Sequence, residues 1–194
     1  MTPPSDKRLI DAQILALLRT RRRKGYALLF DTYYNEVCQH IYRMHPDPQA
    51  AEDIAQEIFM ELWRKRASLR IDTSPGAYLR RMAVTRTLNY LRDNKHLRHE
   101  ADDALSSVSA GSTSALDRLE ERDLDEWLTQ SMNELPERCR QVFVLSRFEQ
   151  MSYREIAQAM DISPKTVENQ MTKALKHLRA AYLRFRGGGV GGAT

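Results

Sequence analysis

The sequence predicts an all-α protein built from two small helical domains joined by a flexible acidic and serine-rich linker. Of its eight glycines, five fall within the last eight residues, so only three remain for the first 186 positions. A β-rich chain of this length would need many more glycines in its turns. The three commonest residues, Arg, Leu and Ala, are all strong helix formers. Apolar residues also recur every three or four positions, which is the helical period.

The distribution of charge divides the chain into three blocks. Net charge is +7 over residues 1–98, −7 over residues 99–130 and +4 over residues 131–194. This pattern fits two domains that face nucleic acid with an acidic connector between them, although solvated helix faces alone would also produce it. Residues 106–114 are small and mostly polar and cannot bury a core. We therefore predict a flexible linker at 99–118 and a disordered Gly-rich tail at 187–194.

Four helices are predicted in the first domain (1–98), at 9–23, 26–44, 49–67 and 74–96. Gly25 follows the first helix and is a plausible stop signal. The arginines and the lysine just before it either complement the helix dipole or contact nucleic acid, and the sequence leaves both open. Pro46 breaks the second helix, whose predicted buried stripe is Phe30, Tyr33, Val37, Ile41 and Met44. At the fourth helix, Ser74 is a good N-cap and Pro75 a good first residue.

The third helix carries a second, acidic face. Its core stripe is predicted to be Ala51, Ile54, Ala55, Ile58 and Leu62. The acidic and polar residues Asp53, Gln56, Glu57 and Glu61 lie off that stripe, with Phe59 and Trp63 beside them. An acidic face with exposed aromatic rings is typical of a partner-binding surface. The alternative is an ordinary amphipathic helix whose aromatic residues belong to the core.

The fourth helix is rich in basic side chains. Basic side chains bind phosphates, and aromatic or amide groups can stack on or read exposed bases. Because only melted DNA exposes its bases in this way, the helix is predicted to bind a single strand. The residues predicted to do so are Arg80, Arg81, Arg86, Asn89, Tyr90 and Arg92.

The second domain (119–186) contains a predicted helix-turn-helix. Ser152 and Glu155 form a capping-box pattern that opens a short helix. After a turn at Asp161, Ser163 and Pro164 begin a second helix that extends to about residue 186. Its predicted buried stripe is Val167, Met171, Leu175 and Leu178. A short turn between two such helices is typical of this DNA-binding motif, whose second helix enters the major groove; an ordinary αα-hairpin is the alternative.

The opposite face of that second helix is predicted to meet DNA. The residues nearest its N-terminus, Lys165, Thr166 and Asn169, should reach base edges. Lys173 and Lys176 lie farther along the helix and should contact phosphates.

An enzyme is the less favoured class. The sequence has no phosphate-cradling glycine loop and no nucleophile motif. Cys38 with His40, or His96 with His99, could begin a metal site, but no further ligands are spaced to complete one. We therefore expect no catalytic residue, no metal and no cofactor. The polar N-terminus and the absence of a long apolar stretch predict a cytoplasmic protein that does not insert into membranes.

Taken together, these motifs resemble the extracytoplasmic-function (ECF) group of bacterial RNA polymerase sigma factors. Residues 50–63 resemble the family's polymerase-binding helix. Residues 135–143, 152–157 and 163–168 resemble its C-terminal promoter-reading domain, and are close to the iron-citrate-regulator-like subgroup common in Bacteroidetes-type bacteria. The resemblance covers about 26–98 and 123–180.

The resemblance implies a transcription initiation factor. Asp53, Gln56, Glu57, Phe59, Glu61 and Trp63 would bind the clamp helices of the largest polymerase subunit, and the second domain would meet the polymerase flap. The fourth helix and the loop at 70–74 would capture the melted minus-ten element. The helix-turn-helix, with Glu168 among its surface residues, would read the duplex minus-thirty-five element. The linker would run toward the RNA exit path, and an anti-sigma factor is a further expected partner.

An autonomous helix-turn-helix regulator is the alternative function. It would account for residues 123–180 but would leave the acidic face of the third helix unexplained. Such regulators usually bind palindromic DNA as dimers.

Overall fold

The computed structural model describes residues 4–94 and 120–188, and every regular element within these ranges is helical. The predicted linker at 99–118 lies outside the described residues, as do His96 and His99. The chain divides into two compact units after Asn89, near the end of the fourth helix. The all-α, two-domain prediction is confirmed.

The first unit is built around a central helix that packs on both of its neighbours. Its helices are α1 (Pro4–Thr20), α2 (Arg22–Met44), α3 (Pro48–Lys65) and α4 (Pro75–Asp93), whose last four residues lie beyond the division. Helix α2 packs against α1 and α3. The core contains Ile14, Leu29, Ile41, Ile58 and Leu79, each no more than 1% exposed.

Two predictions about α2 are wrong. Gly25 does not end a helix: it lies inside the first turn of α2 and is buried against the backbone of α1. A Cβ atom at this position would lie 2.5 Å from the Leu18 backbone nitrogen, so only glycine allows the two helices to approach so closely. Phe30 is 36% exposed, and Leu29 takes its predicted place in the core.

The predicted N-cap of α4 is confirmed, and α3 begins with a cap that the sequence analysis did not predict. The Ser74 hydroxyl accepts a hydrogen bond from the Ala77 backbone N–H (3.2 Å), and Pro75 is the first residue of α4. The Asp47 carboxylate caps α3 by accepting from the Ala50 N–H at 3.1 Å. These caps satisfy N–H groups that have no partner inside a helix.

The second unit contains α5 (Glu120–Asn133), α6 (Glu137–Arg147), α7 (Tyr153–Met160) and α8 (Pro164–Gly188). The long helix α8 packs against the other three. Helix α6 is the most buried, with Val142, Val144 and Leu145 fully inaccessible. Helix α8 extends through Gly187 and Gly188, two residues into the segment predicted to be a disordered tail; the rest of that segment lies outside the described residues.

Candidate functional site

The exposed face of α3 is acidic and polar along its length. Asp53, Gln56 and Glu57 are all exposed, as predicted, and the Asp53 carboxylate accepts a hydrogen bond from the Gln49 side-chain amide at 3.0 Å. Met60 follows at helical spacing and is 57% exposed, which is unusual for a large apolar side chain. The face therefore combines negative charge with a flexible apolar group, a combination suited to binding another protein.

An aromatic cluster joins α2 to this face of α3. Trp63 lies 4.9 Å from Tyr26, and Phe59 lies 5.1 Å from Phe30 and 5.6 Å from Tyr34, measured between ring centroids. The Tyr26 hydroxyl also donates to the Phe59 carbonyl at 2.9 Å. This cluster fixes the separation of α2 and α3 and leaves Phe30 as its accessible edge.

The prediction that Phe59 is exposed is wrong. Its side chain is 1% exposed because the aromatic rings of α2 cover it. Trp63 is only partly buried, and the Arg66 guanidinium lies 4.1 Å from its ring centre as a cation–π contact. Of the two aromatic residues predicted on the partner-binding face, Trp63 alone is accessible.

Sequence reasoning missed the contribution of α2 to this surface. Tyr26, Phe30 and Tyr34 repeat every four residues, so they lie on one face of α2. That spacing is visible in the sequence, but the predicted core stripe includes Phe30. Its exposed ring makes α2 part of the candidate surface.

Glu61 and Arg86 were predicted to serve two different partners, yet they form an ion pair with each other. The Glu61 carboxylate accepts from Lys65 on α3 and from the Arg86 guanidinium on α4. The hydrogen bond from Lys65, and then that from Arg86, hold the pKa of Glu61 below its ordinary value. The pair ties the predicted partner-binding helix to the predicted DNA-binding helix.

The other predicted DNA-binding residues of α4 differ in their accessibility. Arg80, Arg81 and Arg92 are exposed, whereas Asn89 and Tyr90 are half-buried. A cavity of about 260 Å³ lies between α2 and α4, with Arg80 on its lining beside Glu36, His40 and Arg43. Burial, and next the charges of Arg43 and Arg80, lower the pKa of His40 to about 4, so this imidazole is neutral at physiological pH.

In the second unit, the local interactions of α7, the turn and α8 form the predicted helix-turn-helix. The Ser152 hydroxyl accepts from the Glu155 N–H, while the Glu155 carboxylate accepts from the Ser152 N–H, which confirms the capping box. Asp161 adopts the left-handed conformation (φ 52°, ψ 52°) that ends α7. The Ser163 hydroxyl then accepts from the Thr166 N–H at 3.0 Å and caps α8.

The buried stripe of α8 differs from the prediction at one position. Val167, Met171, Ala174 and Leu178 are buried, whereas Leu175 is 43% exposed. The small Ala174 side chain is fully inaccessible, so α8 can lie close to its neighbours along this stripe. The face opposite the core is therefore rotated slightly from the predicted one and includes Leu175 at its edge.

The predicted recognition residues mostly project from that opposite face. Lys165, Glu168, Asn169, Lys173 and Lys176 are exposed. The Lys165 ammonium pairs with the Glu168 carboxylate at 2.7 Å. Thr166 differs because it is half-buried and its hydroxyl lies 2.8 Å from the Ser163 hydroxyl, so it belongs partly to the helix cap.

Comparison with known protein families identifies both units. Residues 29–97 match the family model "Sigma-70 region 2", and residues 125–178 match "Sigma-70, region 4". The two matches occur in this order and together cover more than half of the chain. The chain is an RNA polymerase sigma factor of the sigma-70 family.

Curated relatives place this sigma factor in the ECF group. It is 26% identical over 178 residues to the RNA polymerase sigma-H factor of Pseudomonas aeruginosa, covering 84% of this chain and 89% of that protein. Two Bacillus subtilis ECF sigma factors are similarly related. SigM is 26% identical (80% of this chain, 94% of that protein), and SigW is 27% identical (80% and 87%).

A solved structure has the same fold. The sigma factor RpoE of Bartonella quintana, crystallised with the anti-sigma factor NepR, aligns with a TM-score of 0.53 at 16% identity. The alignment covers 82% of this sigma factor and 97% of that chain. The predicted function in promoter recognition is confirmed by the family matches, and an autonomous regulator does not account for region 2.

The sigma factor family is non-enzymatic, in agreement with the prediction. Within residues 4–94 and 120–188, no three His, Cys, Asp or Glu side chains are grouped so that they could hold a metal ion. In the same ranges, no helix has the length and hydropathy needed to cross a membrane.

Proposed function

We propose that this sigma factor binds core RNA polymerase through the α3 face and the accessible edge of the aromatic cluster on α2. Asp53, Gln56 and Glu57 supply charge and hydrogen-bonding groups, while Met60 and Phe30 supply apolar area. Their combined exposure is the observation that supports the proposal. The family resemblance identifies the clamp helices of the largest subunit as the partner surface.

Charge reversal at Asp53 tests this proposal. Asp53→Arg should weaken binding to core polymerase by at least tenfold, because a buried interface with a mismatched charge loses several kcal/mol. Its thermal unfolding should be nearly unchanged because the side chain is exposed. Asp6→Arg is the matched control, since Asp6 is exposed on α1 and lies outside the proposed surface. Equal loss of affinity in both variants would contradict the proposed surface.

We propose that α4 and the loop at 70–74 capture the melted minus-ten element. Arg80, Arg81 and Arg92 are exposed cations that can contact phosphates. Tyr90 and Asn89 are half-buried, so they can present an edge to an unstacked base rather than a whole side chain. Arg86 contributes a guanidinium that it shares with Glu61.

We propose that α8 reads the duplex minus-thirty-five element and that region 4 also contacts the polymerase flap. The exposed Lys165, Glu168, Asn169, Lys173 and Lys176 support the DNA contact, and Thr166 supports it through its position in the first turn. The predicted acidic linker at 99–118 would run toward the RNA exit path. Runoff transcription with core polymerase on a promoter library tests this whole assignment. Activity that does not depend on the upstream element would contradict it.

We also propose regulation by an anti-sigma factor. The structurally similar Bartonella protein was crystallised in complex with one, which supports the same class of partner here. Copurification from the native cell tests the proposal.

The cytoplasmic location follows from polymerase binding, and assignment to the iron-citrate-regulator-like subgroup rests on the region 4 residues 135–143, 152–157 and 163–168.

A further inference from the structure

A dense group of positive charges lies where α1 ends and α2 begins. We define the basic corner as Arg19, Arg21, Arg22, Arg23 and Lys24. All five side chains are exposed, and none makes an ion pair within the part of the chain that the structure describes. Thr20 is the remaining residue of this stretch, so five of six consecutive residues are cationic.

The helix dipole does not account for these charges. Only Arg19 lies in the last turn of a helix, where a cation is favourable. Arg22, Arg23 and Lys24 instead occupy the first turn of α2, at the positive end of its dipole. That turn has no acidic residue, and the N-cap residue Arg21 provides no side-chain cap. The cations therefore destabilise the start of α2. Residues that oppose local stability in this way are expected at functional sites.

The backbone of the basic corner is nevertheless fixed by hydrogen bonds and by helix packing. The Arg21 N–H donates to the Leu17 carbonyl at 2.7 Å, and the Gly25 N–H donates to the Arg21 carbonyl at 3.0 Å. Gly25 brings the two helices into backbone contact just beyond the charges. The cations are thus presented by a short and tightly packed corner.

The chemistry of the corner favours phosphates over an acidic protein surface. Residues 19–24 contain no aromatic or apolar side chain that could act as a buried anchor, and the centres of protein interfaces are depleted of charged residues. Arginine binds phosphate oxygens in a bidentate manner. The uncapped N–H groups of the first turn of α2 add further donors for an anion.

We propose that the basic corner binds the phosphodiester backbone of promoter DNA, independently of its sequence and in addition to the contacts of α4 and α8. The contact strengthens the promoter complex without selecting the promoter. Loss of this contact would leave the choice of upstream and melted elements unchanged. The proposal for the basic corner can therefore be disproved without disproving the proposed promoter-reading surfaces.

The test uses the full chain assembled with core polymerase on promoter DNA. Arg21→Gln, Arg22→Gln and Arg23→Gln are combined, and promoter affinity is measured over a range of salt concentrations. The slope of log affinity against log salt should fall by roughly 0.9 for each phosphate that the variant no longer neutralises, or about 3 in total. The weakening should be the same on promoters with different elements. Affinity for core polymerase without DNA should be unchanged, and the melting temperature should be equal or higher.

Three further variants control for the kind, the position and the number of the charges. Replacing the same three arginines by lysine keeps the charge and should restore most of the salt slope. Arg8→Gln removes one exposed charge from the opposite end of α1 and should not change the slope, whereas Arg22→Gln alone should lower it by about 0.9.

A photo-crosslinker at position 20 identifies the partner directly. Thr20 is exposed within the corner, so a crosslink from this position to promoter DNA supports the proposal. A crosslink only to a polymerase subunit, together with reduced affinity for core polymerase in the triple glutamine variant, would overturn it. An unchanged salt slope or a lower melting temperature in that variant would overturn it as well.

Discussion

At the scale of single residues, the structure shows which side chains are buried and which are accessible, whereas the sequence pattern predicts only the helix face on which they lie. Phe59 and Trp63 were predicted as a pair, but one is buried and the other remains accessible. Periodicity cannot separate them, because which ring is covered depends on the aromatic residues of a neighbouring helix. Gly25 was likewise predicted as a stop signal, although a close helix contact explains it.

Gly25 should be more important for stability than its type suggests. Gly25→Ala should destabilise the protein by about 1–3 kcal/mol, because the added methyl group overlaps the α1 backbone. Helix propensity alone would make the same change stabilising by about 1 kcal/mol. Chemical denaturation measures the difference. The exposed Ala27→Gly on α2 provides the comparison and should cost about 1 kcal/mol through propensity alone. A more stable Gly25→Ala protein would show that the helices are not in close contact.

His40 should make stability depend on pH. Its pKa is lowered from 6.5 to about 4 in the folded protein, so between these values the unfolded chain binds a proton that the folded chain does not. This contribution is fully present above pH 6.5 and is lost as pH falls toward 4, by about 3 kcal/mol in all. Urea unfolding of the wild type and His40→Gln from pH 7 to pH 4.5 checks the prediction. Parallel pH profiles would contradict it.

At the scale of elements, local signals were predicted well and long-range contacts were not. The capping box at Ser152, the turn at Asp161 and the cap at Ser163 each depend on neighbouring residues, and all three are as predicted. The buried stripe of α8 was wrong at Leu175, because the choice between adjacent positions depends on which neighbour α8 packs against. The role of Arg86 was also incomplete, since its partner Glu61 is 25 residues away.

The recognition helix allows base reading and phosphate binding to be separated. Asn169→Ala should cost about 1–3 kcal/mol on the preferred upstream element and relax the preference at that position. Lys176→Ala should weaken binding to all upstream elements alike and lower the salt slope by about 1. Both residues are exposed, so neither change should alter folding. A set of upstream variants at two salt concentrations distinguishes them. If Lys176→Ala changed the preference and Asn169→Ala did not, the face presented to DNA would be misassigned.

At the scale of the whole molecule, composition was enough to predict two helical domains. The scarcity of internal glycine predicted the all-α class, and the three charge blocks predicted two domains with an acidic connector. The order of the domains came from the motifs, and the family models match one on each side of the predicted linker. The sequence could not supply the contacts inside each unit, because helical period identifies a buried face but not its neighbour.

The two domains should separate on limited proteolysis. Cleavage is expected first within 99–118, because this segment is predicted to be a flexible linker and contains only one basic residue, Arg118. A protease without a requirement for Lys or Arg should be used for that reason. Two stable helical fragments, identified by mass and circular dichroism, are the expected products. Resistance of 99–118 in the free protein would contradict the linker prediction.

The ion pair between Glu61 and Arg86 also constrains how this protein can evolve or be engineered. A chimaera that takes α4 alone from another family member would leave Glu61 beside a foreign side chain on the helix proposed to bind polymerase. Substitutions on α4 that favour a new melted element would therefore also change the affinity for polymerase. Compensating substitutions on α3 should accompany them. Substitutions on α8 do not involve this ion pair. Related sigma factors that come to recognise different promoters should therefore diverge more readily in the helix that reads the upstream element. The sequences of α3 and α4 should change together.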